Sequence, residues 1–154
     1  MIQRIQSIYL LFVVLLSGVG FYLPTATLSV SRNTNYLVSY KGIYLEQATE
    51  QVFQSPVWGV TVFALIIPIV ALITVFLFKS RKLQIKLTYI NIACVVMYYA
   101  SVAAYIITAA QRLQAESIFH FGVVIPFVCL ILLVLAVSAI KKDEALVKSL
   151  DRLR

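Results

Sequence analysis

Four long apolar runs, parted by short polar segments, decide what this chain can become. They cover about residues 8–23, 57–78, 87–110 and 118–140, and none contains an Asp, Glu, Lys or Arg. An apolar run of about 18 residues or more reads as a membrane span, because about 20 residues at a rise of 1.5 Å cross the hydrocarbon core. The 154 residues are 62% hydrophobic and only 12% charged. A soluble domain is about half apolar and a quarter charged, so the excess marks a polytopic membrane protein with one membrane domain.

Charge then orients the spans. The stretch Lys79–Lys86 carries four cations and no acid between the second and third runs. Ten of the thirteen Lys and Arg residues lie at Arg4, in that stretch, or after Ile140. The other three, Arg32, Lys41 and Arg112, share their segments with Glu46, Glu50 and Glu116. Short loops rich in Lys and Arg stay in the cytoplasm, so both termini are expected there. The net charge of +7 is thereby explained without nucleic acid, and the basic edges suit anionic lipid headgroups.

Along the chain, Arg4 ahead of an apolar centre and Gly18-Val19-Gly20 has the grammar of a signal peptide, and the segment is expected to stay as an uncleaved anchor. Pro24 closes the first span. In the polar segment 24–56, Ala26, Leu28 and Val30 alternate with Thr27, Ser29 and Ser31, the period of a strand. Asn33-Thr34-Asn35 and Lys41-Gly42 read as turns around Tyr36–Tyr40 and Ile43–Leu45, which predicts a small antiparallel β-meander of three strands. Residues 46–54 fit a loop or a short helix equally. Ser55-Pro56 opens the second span, and Pro68 is expected to kink it and free a carbonyl.

Ala93, Ala100, Ala104 and Thr108, with Ser101 beside them, form a stripe of small residues on the third span, the kind through which helices approach in lipid. Residues 111–117 read as a short connection or a prolonged helix, and Gly122 with Pro126 as a second kink in the fourth span. Beyond Lys141, Leu146, Leu150 and Leu153 recur at helical spacing, predicting a helical extension with an apolar stripe for a partner or the membrane surface.

Little here carries chemistry. Spans without ionisable groups argue against a pump or coupled transporter. Cys94 and Cys129 lie in apolar runs and read as small hydrophobes. His120 is the sole histidine and reads as an interface anchor; no nucleophile elbow, metal-binding pair or phosphate loop occurs. Catalytic, cofactor and metal residues are therefore expected to be none. Asn91, the one strongly polar side chain at depth, either bonds to a neighbouring helix or, with Lys86 and Tyr89, contacts a headgroup or substrate.

Three segments together resemble a known family: residues 1–10, the run Arg81-Lys82-Leu83-Gln84-Ile85-Lys86-Leu87 with Asn91, and the closing residues 142–154. They are similar to an uncharacterised family of small four-span inner-membrane proteins of the Bacteroidota. The resemblance implies four helices, a bacterial inner-membrane location and no assigned activity. The expected fold class is an all-α membrane protein: a four-transmembrane-helix bundle, N-in/C-in, with the β-meander in the first periplasmic loop and a C-terminal cytoplasmic helix. The expected function is a non-enzymatic accessory subunit of a larger inner-membrane complex, with protein-export machinery or a respiratory complex as host. Arg81, Lys82, Lys86, Asn91, Leu146, Leu150, Arg152 and Leu153 are the candidate contacts for other subunits or for lipid. A small transporter or channel with Pro-broken helices is the alternative, and a lipid-headgroup enzyme a lesser one.

Overall fold

The structure, a computed structural model, describes residues 5–31, 34–46, 51–77 and 80–152, with backbone alone at 31, 34, 51 and 146–152. The elements run α1 (Ile5–Gly20), β1 (Ala26–Ser31), β2 (Thr34–Ser39), β3 (Gly42–Glu46), β4 (Gln51–Ser55), α2 (Trp58–Phe76), α3 (Arg81–Leu113), β5 (Glu116–Phe119) and α4 (Val124–Arg152). A single 3-10 turn over Phe121–Val123 leads into α4.

The helices pack side by side in a ring, α1 between α4 and α2, with α3 closing it against α2 and α4. Leu10 and Val13, Ile67 and Ala71, Val95 and Val102, and Cys129, Leu133 and Ala136 point one buried stripe from each helix inward. The outward faces are apolar too, with Phe12, Leu15, Leu65, Ile69, Val96 and Ile131 exposed. A helix that is hydrophobic all round suits lipid, where the chain must satisfy its backbone internally. Three helices, Trp58–Phe76, Arg81–Leu113 and Phe121–Ala145, are long and apolar enough to cross a membrane, the mark of a membrane protein. The apolar α1 has 16 described residues, about 24 Å of helix, which is short of the usual span.

The second layer overturns the all-α expectation. A five-stranded sheet of order β4-β3-β2-β1-β5 caps the end where α1 and α3 finish and α2 and α4 begin. Every pairing is antiparallel. Ala26 and Leu28 of β1 and Val38 of β2 are buried beneath it. The chain is therefore helices plus sheet, larger than a three-stranded meander. One added strand, β4, comes from the segment that fitted loop or helix. The other, β5, comes from the α3–α4 connection, which reads by sequence as helix and span. There Gln114 adopts a left-handed conformation (φ 47°) that stops α3, and Glu116–Phe119 pairs with Ser29–Ala26. This pairing satisfies an edge of β1 that would otherwise present bare amides and carbonyls.

Two glycines allow the close approaches this needs. A Cβ on Gly42 would lie 2.8 Å from the Ser55 carbonyl, beside the register shift between β3 and β4. A Cβ on Gly122 would overlap the Pro24 carbonyl, so the start of α4 is pressed onto the chain leaving α1.

Two further expectations change. The basic stretch is no loop: α3 begins at Arg81, so Arg81, Lys82 and Lys86 occupy its first two turns. Pro126 lies in the first turn of α4, where its missing N–H has no intrahelical partner to lose, so it opens the helix and does not kink its middle. Pro68 stands inside α2, whose helix continues on both sides.

Candidate partner and lipid interface

The basic end, opposite the sheet, is built on the start of α3 and the middle of α4. Arg81 donates from Nη1 to the Asp143 main-chain carbonyl at 2.7 Å and joins the two helices. Lys141 donates from Nζ to the Tyr89 hydroxyl at 2.8 Å and lies 5.3 Å from its ring centre, a cation held over an aromatic face. Lys82, Lys86 and Lys142 are exposed. Cations at a helix start oppose its dipole by a few tenths of a kcal/mol each, so helix stability does not account for their place, whereas an anion there is favoured by charge and dipole together.

Asn91 does not join this cluster. It is fully buried, while Lys86 and Tyr89 are exposed on the other side of α3. Gln84, Thr88 and Asn91, spaced four and three apart, make one polar stripe facing α2. Gln84 donates from Nε2 to the Thr74 carbonyl at 3.0 Å, and Asn91 from Nδ2 to the Ile67 carbonyl at 3.1 Å. The side-chain carbonyl oxygens of both, and of buried Gln6 in α1, have no hydrogen-bond partner among the described residues. A small-residue or apolar count does not reveal this stripe; the signal was the spacing of Gln84, Thr88 and Asn91 within one run.

The opposite face of α3 carries the small residues outward. Ala93, Ala100, Ala104 and Thr108 are all exposed, while the seam used inside the ring is Val95, Tyr98, Val102 and Ile106. Ser101 alone turns inward, against Gly59 of α2. The helix backbone of α4 continues through Leu146, Leu150 and Arg152. Their side chains, and all of Leu153, lie outside the described residues.

Beneath the sheet, all four helices surround a narrow cavity of about 40 Å³, partly open to the surroundings. Ser17, Tyr40, Ala64, Ile67, Tyr98 and Cys129 are among its lining. Pro68 offers no N–H to the Ala64 carbonyl, so the carbonyl expected to be freed in α2 lies at this wall. No side chain in the described residues bonds to that carbonyl; Asn91 selects Ile67 instead. His120 serves the sheet: its Nε2 lies 2.7 Å from the Thr27 hydroxyl, and its backbone N–H donates to the Thr25 carbonyl at 3.0 Å. Among the described residues no three His, Cys, Asp or Glu side chains gather where an ion would sit.

A family model described as a domain of unknown function, DUF4293, matches residues 2–153. No curated protein matches the chain. The chain belongs to the DUF4293 family, whose match covers nearly its full length.

Proposed function

We propose that this DUF4293 protein is a non-enzymatic accessory subunit of a larger assembly in the bacterial inner membrane. The observation that supports it is the outward small-residue face of α3. In lipid the drive for helix association is close backbone packing, and small side chains spaced by four permit it. Ala100, Ala104 and Thr108 have that spacing and are exposed, whereas the packing of α3 within this chain uses Val95, Tyr98, Val102 and Ile106. A transmembrane helix of another subunit fits there, with Lys82 and Lys86 at the basic end to fix register or hold anionic headgroups. The basic end faces the cytoplasm with both termini, and the sheet faces the periplasm. Protein-export machinery and respiratory complexes are the hosts this reading admits.

The test is mild detergent extraction of the full chain from its native membrane, followed by native mass measurement. A co-purifying subunit that is lost on Ala100→Leu and Ala104→Leu supports the reading. A chain that always runs alone counts against it.

A second reading, a small transporter or channel, is favoured by the cavity shared by all four helices beside Pro68. Helices interrupted by proline line substrate sites in transporters. Liposomes holding the purified protein that show no flux of ions or small solutes would eliminate it.

A further inference from the structure

At the sheet end a second cleft runs between the strands and the last turns of α3. Its walls are Tyr36, Ile43 and Tyr105, and its remaining lining includes Gln54, Ser55, Thr108, Ala109 and Arg112. We propose that this cleft holds one anionic phospholipid from the adjoining leaflet, with the phosphate on Arg112 and the first acyl carbons against Tyr36, Ile43 and Tyr105.

Charge is the first argument. Arg112 is exposed, and among the described residues its guanidinium has neither an acidic partner nor a hydrogen bond. It stands at the end of the apolar stretch of α3, where headgroups meet the hydrocarbon. Exposed aromatic residues mark the same end of the other helices: Trp58 opens α2, Tyr22 follows α1, and Phe121 precedes α4. Aromatic side chains of this kind gather at headgroup level.

Shape is the second. The cleft is polar at Gln54, Ser55 and Arg112 and apolar at Ile43, Tyr105 and Ala109, matching the two chemistries of a phospholipid near its glycerol. The side chains of Gln54 and Ser55 make no hydrogen bond among the described residues and are open to phosphate or ester oxygens. A guanidinium binds phosphate with two parallel N–H donors, which a diffuse basic surface does not offer. This site lies at the end of α3 opposite Lys82 and Lys86; it shares Thr108 with the proposed partner face and is tested on the isolated chain.

Native mass spectrometry of the delipidated full chain in detergent tests it, in a Lys82→Gln/Lys86→Gln background that weakens lipid binding at the other end. Phosphatidylglycerol is titrated in, with phosphatidylcholine and inorganic phosphate as separate arms. One phosphatidylglycerol is expected to remain bound, and Arg112→Gln is expected to weaken it by about ten-fold, the size of one lost charge-assisted contact. Ala109→Phe, which fills the cleft without touching the charge, is expected to weaken it as well. Binding unchanged by both variants overturns the proposal, as does equal affinity for phosphatidylcholine. Displacement by millimolar inorganic phosphate would reduce the site to an anion contact and overturn the lipid assignment.

Discussion

Asn91 of α3 donates a hydrogen bond to the Ile67 carbonyl of α2 at 3.1 Å, one residue before Pro68. The bond is fully enclosed, yet only half of the amide is used: Nδ2 has its acceptor, and Oδ1 has no partner among the described residues. Hydrogen bonds between membrane helices average about 0.6 kcal/mol, while an unsatisfied buried acceptor costs about 1–3 kcal/mol. The penalty is the larger, so the amide as a whole adds no net stability. Asn91→Leu is therefore expected to keep the unfolding free energy in detergent within about 1 kcal/mol of the parent. Asn91→Asp, which buries a charge, is expected to lose about 3 kcal/mol. A Leu variant as damaged as the Asp variant would show that Oδ1 is engaged.

Gln114 carries a second prediction. It ends α3 in the left-handed region without being glycine, and both its own N–H and that of Ala115 return to the Ala110 carbonyl. A side chain there costs about 1–2 kcal/mol, partly offset by the greater freedom glycine has when unfolded. Gln114→Gly is expected to raise the thermal midpoint, by about 0.5 kcal/mol in free energy. Gln114→Val should lower it, because a branched Cβ tolerates that region least. The reverse order would mean that the turn into β5 does not form as described.

Ala104 and Ala136 offer a contrast between one chemistry in two settings. Ala136 is buried among the helices, whereas Ala104 lies on the outward face of α3. Ala136→Leu is expected to cost about 1–3 kcal/mol by overpacking. Ala104→Leu is expected to change the stability of the isolated chain by less than about 0.5 kcal/mol. Under the proposed function it should still release the associated subunit from native membranes. Equal destabilisation by both would place Ala104 inside the fold and remove the partner face.

Sidedness is tested by single cysteines placed at opposite ends. In a chain with Cys94→Ala and Cys129→Ala, Ser55→Cys lies at the sheet end and Lys142→Cys at the basic end, both at exposed positions. A membrane-impermeant maleimide is expected to label Ser55→Cys in spheroplasts and Lys142→Cys only after permeabilisation. The opposite result would invert the proposed orientation.

Sequence alone determined that lipid surrounds most of this chain, because uncharged apolar runs of span length have no stable alternative in water. It also determined the first three strands, since the alternation Ala26, Thr27, Leu28, Ser29 is a local period that needs no distant partner to be read. Only tertiary structure decided the fold class. Glu116–Phe119 is a strand because β1 lies alongside it, a pairing between residues about ninety positions apart that no local pattern encodes. Tertiary structure also decided the two faces of α3. Small, apolar and polar residues recur at helical spacing all round that helix, so composition could not say that Asn91 turns inward to Ile67 while Ala100 and Ala104 turn out. In lipid both faces are chemically acceptable outside, and only the geometry of the neighbouring helices selects between them.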